Sequence, residues 1–336
     1  MTIRIGINGF GRIGRSLFRV ILERHGKGKP ELEVVGINDL FSAEALAQLL
    51  RHDSVMGPLG VEVGHADGAL IVDGRRIALS AKRDPATIDW KGLKVDLVVE
   101  ATGIFTSRAD LEKHLTGGAR RVLLTVPPKD EIDAMVVLGA NDEALKPEHR
   151  LISNASCTTN CLAPLAKVID AAYGIESGLM TTVHAYTNDQ RLVDWPHKDL
   201  RRSRAAAENI IPTTTGAARA VGKILPQLKG KLDGMATRVP VVDGSIIDLV
   251  VRLGKAADAA AINRTVAAAA AGPLKGILAY SEGPVVSHDI IGNPHSCIFD
   301  APLTQATGDG WARLVAWYDN EWGYSNRCAD LLTRMG

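Results

Sequence analysis

The sequence is short of cysteine, of long apolar runs and of any excess of one charge, and each shortage closes off a class of function. Its four cysteines, at positions 157, 161, 297 and 328, make neither a disulfide framework nor a paired metal-ligand spacing, and its nine histidines are scattered. No metal site is expected, and a reducing, cytoplasmic setting is the simplest one. No apolar run approaches the length that crosses a bilayer, and the alternating stretch Met1 to Asn8 reads as a strand instead of a signal peptide. Lysine and arginine number 39 against 38 aspartates and glutamates. That balance gives no general reason to bind nucleic acid or an anionic membrane, although local basic clusters can still hold small phosphates. Neither an internal repeat nor a low-complexity linker interrupts the chain.

What remains is a soluble chain of 336 residues, long enough for two domains with a sizeable core in each. The first strand runs into Gly9-Phe10-Gly11-Arg12-Ile13-Gly14, then a helical pattern at Leu17, Phe18, Ile21 and Leu22, then a second strand from Glu33 to Asn38 that ends at Asp39. A bare G-x-G-x-x-G is weak evidence, but between a strand and a helix, with an acidic residue closing the next strand, it predicts a dinucleotide cradle. Gly9, Gly11 and Gly14 let a pyrophosphate approach the helix N-terminus, and Asp39 accepts from ribose hydroxyls. A carboxylate there repels a ribose phosphate, which favours NAD over NADP. Further strand-like runs at 61–63, 69–72, 77–80, 95–100 and 122–126 alternate with helical stretches and fit an open, largely parallel sheet with an antiparallel insertion.

Asn154 to Cys161 reads Asn-Ala-Ser-Cys-Thr-Thr-Asn-Cys, after an apolar approach and before a helical pattern. A cysteine so placed sits at a helix N-terminus, where free backbone N–H groups and the macrodipole favour the thiolate. Cys157 is therefore the candidate nucleophile, against the plainer reading of a small buried residue. Ser156, Thr158 and Thr159 supply hydroxyls suited to an anion. Cys161, one helical turn on, is read as packing.

Past Cys157 the strands lengthen, at 178–184, 234–241 and 245–253, which suggests a second domain with an antiparallel or mixed sheet. His184 closes the first of these and precedes the polar turn Tyr186-Thr187-Asn188-Asp189. Near Cys157 it would form a thiolate–imidazolium pair and serve as base; spacing alone does not show the contact. Thr213-Thr214-Thr215-Gly216 precedes a helix and makes an anion cradle. Arg238, within an apolar strand, needs a phosphate or a buried carboxylate such as Asp248 as partner.

Together with His184-Ala185-Tyr186-Thr187 and Trp317 to Ser325, the segment Asn154 to Cys161 closely resembles the phosphorylating glyceraldehyde-3-phosphate dehydrogenase family, along the whole chain. The resemblance implies an α/β protein: a Rossmann-type doubly wound parallel sheet in a domain over 1–156, an α+β catalytic domain with a mixed, largely antiparallel sheet over 157–319, and a C-terminal helix over 320–336 returning to the first domain. It implies NAD contacts from Arg12, Ile13, Asp39, Arg83 and Thr125, and from Asn320 to the nicotinamide. It gives Thr187 and Arg238 to the substrate phosphate, and Ser156, Thr158, Arg202, Thr215 and Gly216 to inorganic phosphate. It places His184 beside Cys157 and makes the loop from Asp189 to Arg204 an interface of a homotetramer. The chain departs from the common pattern at Met56-Gly57-Pro58, Val126-Pro127-Pro128 and Trp195.

The implied reaction is NAD-dependent oxidation of glyceraldehyde 3-phosphate to an acyl phosphate through a cysteine thioester. Three rivals stand beside it: a hydrolytic erythrose-4-phosphate dehydrogenase, of which Pro294-His295-Ser296 is reminiscent; a phosphorylating semialdehyde dehydrogenase, disfavoured by Asp39; and a thiol redox sensor without turnover.

Overall fold

The computed structural model describes residues 2–336. Two compact units divide the described residues: one holds residues 2–136, 143–155 and 325–336, the other 137–142 and 156–324.

The first unit is built on a nine-stranded sheet of β1 (Ile3–Asn8), β2 (Leu32–Asn38), β3 (Val63–Ala66), β4 (Ala69–Val72), β5 (Arg75–Ser80), β6 (Leu97–Glu100), β7 (Arg121–Leu124), β8 (Ala134–Met135) and β9 (Leu151–Ser153), in the order β3-β4-β5-β2-β1-β6-β7-β9-β8. All neighbours pair in parallel except β3 with β4 and β4 with β5, the antiparallel insertion, and β5 joins β2 in parallel. β1 lies between β2 and β6, so the strand order reverses at its C-terminal end, where α/β sheets bind ligands. In register there stand Asn38, Asn8 and Glu100. Asn38 Nδ2 donates to Asn8 Oδ1 at 2.8 Å, and Asn8 Nδ2 to Glu100 Oε2 at 2.6 Å. Trp90 Nε1 donates to His114 Nδ1, which leaves Nε2–H of that buried ring to donate to Glu100 at 3.0 Å. A buried carboxylate thus has its donors, and the rim of the sheet is rigid.

Helices α1 (Arg12–Gly26), α2 (Ala43–Arg51) and α3 (Arg108–Thr116) belong to this unit. The last helix of the chain, α7 (Trp322–Met335), enters it at Ser325, where Asp330 meets Arg24 at 2.7 Å.

The second unit carries β10 (Ile175–Ala185), β11 (Ile211–Thr214), β12 (Leu232–Val239), β13 (Ser245–Leu253), β14 (Leu278–Ser281), β15 (Cys297–Asp300), β16 (Gln305–Ala306) and β17 (Trp311–Tyr318). Their order is β11-β12-β10-β13-β17-β15-β14, with β16 on β17. β10 runs parallel to β12 and antiparallel to β13, so the sheet is mixed, and most of its pairs are antiparallel. Helices α4 (Cys157–Tyr173), α5 (Ala217–Ile224) and α6 (Ala259–Ala271) complete the unit. α6 is the alanine-rich helix, and its start is set by Asp258, whose carboxylate accepts from Ala261 N at 2.6 Å. Asp258→Ala removes that cap and is expected to cost about 1 kcal/mol, read from urea unfolding.

The unit boundaries differ from those implied by resemblance. Ser156 goes with the second unit because its hydroxyl caps α4. Residues 137–142 also join it: Ala140 O accepts from Lys167 Nζ at 2.7 Å, and Gly139, at φ +85°, packs so closely on Leu274 that a Cβ would come within 2.9 Å. The return to the first unit begins at Ser325, not Asn320, since Asn320 is tied to β13. Among the described residues no helix is long and apolar enough to cross a membrane.

Candidate active site

Between β9 and α4 the backbone makes a sharp turn. Ala155 takes φ +54°, uncommon for a residue with a Cβ, and Ser156 returns to an extended conformation as N-cap, its Oγ accepting from Thr159 N at 3.1 Å. Cys157 is then the first helical residue, at the positive end of the α4 dipole. Its Sγ lies 3.5 Å from His184 Nε2.

His184 is the last residue but one of β10, and its ring takes one partner from its own strand and one from the neighbouring strand. Parallel pairing of β10 and β12 puts Arg238 in register with it. Arg238 Nη1 lies 2.7 Å from His184 Nδ1 and donates to Ala185 O at 2.9 Å, while that carbonyl also lies 2.7 Å from Nδ1. Nδ1 therefore has a donor and an acceptor competing for it. With Nδ1–H on Ala185 O, Nε2 faces the thiol as a base; with Arg238 donating to Nδ1, it does not. Arg238 Nε is buried and matched by no protein acceptor, and Asp248, the alternative partner, is held by Arg313 at 2.6 Å. The buried guanidinium fits an anion.

Burial, then the Arg238 charge, hold His184 down at about 3, and burial pushes the Cys157 thiol up against the opposing pull of Arg238 and Thr158. Neither group charges alone near neutrality. Moving the thiol proton across the 3.5 Å contact charges both together, at a helix N-terminus that favours the thiolate.

Around this pair the predicted anion ligands are differently disposed. Thr187 Oγ1 donates to Asp189, which also meets Arg202 Nη1 at 2.5 Å; Arg202 Nε donates to Thr213 at 2.9 Å. Burial opposes the charge on Asp189, but Thr187, Arg202 and Arg238 outweigh it and lower its pKa. Thr215 Oγ1 accepts from Ala217 N at 3.2 Å, beside an open Gly216 at the head of α5. Thr158 corrects its expectation. Its buried hydroxyl turns inward to Tyr318 OH at 2.8 Å, which in turn lies 2.8 Å from Thr182 Oγ1, so an anion would meet its backbone instead. Asp189, Thr182 and Tyr318 escaped sequence reasoning as site-shaping groups; only the polar turn after His184 and the aromatic run near 317–324 hinted at them.

In the first unit, Gly9 takes φ +90° where a Cβ would strike Thr102 N at 2.7 Å, and a Cβ on Gly14 would lie 2.3 Å from Gly9 O. Nothing lies within 4 Å of the Cβ position of Gly11, and no side chain caps α1, which leaves its first turn to a phosphate. Asp39 accepts from Phe10 N at 2.7 Å and Phe41 N at 3.2 Å, fixing the carboxylate that ribose would meet. Arg12 pairs with Asp53 at 2.6 Å, Ile13 is half-buried, Arg83 is exposed, and the Thr125 hydroxyl donates to Glu100 O at 3.0 Å. The cradle fits a dinucleotide. In the second unit, Asn320 Oδ1 accepts from Ser245 Oγ at 2.6 Å, and that hydroxyl accepts from Ala185 N at 3.1 Å, so Asn320 is locked to the residue after His184.

With these features in view, comparison with known proteins is decisive. Residues 3–108 match the family description "Glyceraldehyde 3-phosphate dehydrogenase, NAD binding domain", and residues 156–320 match "Glyceraldehyde 3-phosphate dehydrogenase, C-terminal domain". The chain belongs to the glyceraldehyde-3-phosphate dehydrogenase family. Proteins of that name from Streptomyces coelicolor and Mycobacterium tuberculosis are 55% and 54% identical to it, and "Glyceraldehyde-3-phosphate dehydrogenase 2" of Streptomyces avermitilis is 53% identical, each match covering all of this chain and 99% of the relative. The chain's cofactor is NAD, and residues 3–108 of the first unit are its NAD-binding domain. Among the described residues no group of three His, Cys, Asp or Glu side chains is placed to hold a metal.

Proposed function

We propose that this chain is an NAD-dependent glyceraldehyde-3-phosphate dehydrogenase of the phosphorylating type, with Cys157 as nucleophile and His184 as base. The observation that carries the assignment of roles is the row Cys157 Sγ, His184 Nε2, His184 Nδ1, Arg238 Nη1, in contact at 3.5 and 2.7 Å across the ring. Gly9, Gly11 and Gly14 with the α1 N-terminus hold the NAD pyrophosphate, Asp39 the ribose, with Arg12, Ile13, Arg83 and Thr125 along the rest of the cofactor. Asn320 turns its amide to the nicotinamide. When bound, NAD takes up the hydride that leaves the former aldehyde carbon.

The protein's own residues do the rest. Arg238 and Thr187 bind the phosphate of the aldehyde, and an anion that draws the guanidinium off Nδ1 leaves that nitrogen to donate to Ala185 O, with Nε2 as the base. Cys157 Sγ adds to the aldehyde carbon; His184 takes the proton of the resulting hydroxyl as the carbon is oxidised, and a thioester remains on Cys157. Ser156, the Thr158 backbone, Arg202, Thr215 and Gly216 bring inorganic phosphate, whose oxygen attacks the thioester carbonyl and releases the acyl phosphate and the cysteine sulfur. The exposed Leu192, Val193, Trp195 and Leu200 of the loop after Asp189 support a homotetramer, because a cluster of large apolar side chains in water is costly unless covered. A cytoplasmic location accords with four free cysteines.

NADH formation, measured with and without inorganic phosphate on glyceraldehyde 3-phosphate and on erythrose 4-phosphate, tests the reading. Sustained turnover is expected only with the triose and phosphate together. Phosphate-independent turnover that prefers the tetrose would replace it with the hydrolytic reaction.

A further inference from the structure

β13 and β17 are antiparallel neighbours, with Ser245 in register with Tyr318. Just beyond that pair the chain puts an aspartate on each side: Asp243 before β13 and Asp319 after β17, both fully buried, with Asp319 the foremost charge acting on Asp243. Asp319 is richly supplied with donors. Its Oδ2 accepts from Gly292 N at 2.7 Å, and its Oδ1 from Glu321 N at 2.9 Å and Trp322 N at 2.6 Å. Asp243 receives only Gly244 N, at 2.9 Å on Oδ1, and no protein donor reaches its buried Oδ2. Two acceptors that face each other in the interior need a proton between them, and the donors settle which carboxyl carries it. Three amides favour the charged form of Asp319, so the proton belongs to Asp243 Oδ2, which donates to its neighbour.

Close after each aspartate stands a member of another contact, Ser245 two residues past Asp243 and Asn320 next to Asp319, joined at 2.6 Å. We propose that Asp243 is a protonated positioning residue: by donating to Asp319 it ties the end of β17 to the start of β13 and holds Asn320 in place for the nicotinamide. The inference rests on the proposed role of Asn320. Burial first, then the charges of Asp319 and Glu321, raise the Asp243 pKa to about 9. The other ionisable group that bears on it is Cys157, at the head of α4; the turn Ser287–Ile290, which packs against Gly244, carries the exposed His288 and Asp289. Loss of the proton sets two buried carboxylates against each other and raises the pKa of Cys157 as well.

The sign for stability follows from proton counting. Between the ordinary 3.8 and about 9 the folded protein holds a proton that the unfolded chain has lost, so the pair costs more stability as pH rises through that window. D243N keeps a donor toward Asp319 without a titrating proton. Its gain in melting temperature over the parent should therefore grow from about pH 4 to about pH 9. For the cofactor, an Asn320 site competent only while Asp243 is protonated makes KM for NAD rise about tenfold between about pH 8 and about pH 10, since roughly nine-tenths of the pair is then ionised.

The experiment measures KM for NAD across that range in the parent, D243N and N320A, with melting curves alongside. Support is an alkaline rise that D243N flattens to less than about threefold, with N320A raised throughout. D319N, which also leaves a single ionisable carboxyl, serves if D243N does not fold, and the same flattening is expected. A D243N profile that tracks the parent, or a stability gain that ignores pH, overturns the shared proton; an N320A with the parent's KM overturns the nicotinamide reading beneath it.

Discussion

Cys157→Ser is expected to lower kcat by more than about 10⁴-fold, because an alcohol is a far weaker nucleophile and no other thiol can stand in. Cys161 is fully buried and its sulfur lies 3.8 Å from Trp317 O, while Cys297 and Cys328 are buried as well. His184→Asn should cost about 10² to 10⁴ in kcat, the usual share of a positioned base. The more informative readout is the rate at which iodoacetamide alkylates Cys157. Since burial opposes charging either group alone, the thiolate near neutral pH depends on His184 accepting its proton. The His184→Asn enzyme should alkylate at least about tenfold more slowly at about pH 7 and regain the rate only as pH climbs beyond the range of an ordinary thiol, because burial raises the Cys157 pKa. Equal rates in the two proteins would mean that the helix terminus and Arg238 generate the thiolate without the imidazole.

How much of this was legible in the sequence depends on whether the determining contacts are local. The cofactor cradle was, because its motif lies within one strand, one turn and one helix: a Cβ on Gly14 would strike Gly9 O, and Asp39 directly follows the adjacent strand. The start of α4 was legible too, since Ser156 caps three residues ahead. Pairings between distant strands were not. Nothing in the run Met235 to Val241 says that Arg238 would stand beside His184 instead of Asp248; the parallel register of β10 and β12 decides it, and Arg313 on β17 takes the aspartate. Thr158 misled for a related reason. Its neighbours suggested an anion site, whereas its hydroxyl is used by Tyr318, 160 residues away in sequence. No local pattern singles out the buried Asp243, and only the return of β17 brings Asp319 to it.

Arg238→Leu should separate binding of the phosphate group from the chemistry at the thiol. The guanidinium touches His184 Nδ1 and Ala185 O, and its Nε has no protein acceptor, so the charge is placed for an anion from outside the chain. Truncating one partner of a desolvated charge pair commonly costs about 2 to 5 kcal/mol, so KM for glyceraldehyde 3-phosphate is expected to rise at least about 30-fold. Glyceraldehyde, which lacks the phosphate, should change by less than about threefold in kcat/KM at the pH optimum of each protein. The optimum itself moves. Arg238 lowers the pKa of both His184 and Cys157, so removing its charge lets both rise, and the pH profile of kcat/KM shifts to higher pH as a whole. Lysine at 238 should restore part of the phosphate affinity and of the pH position but not a two-point grip on the phosphate, since an ammonium lacks the planar fork of a guanidinium. A variant whose KM rises equally for both aldehydes would show that Arg238 acts by orienting His184 alone, and the substrate phosphate would then fall to Thr187 and Arg202.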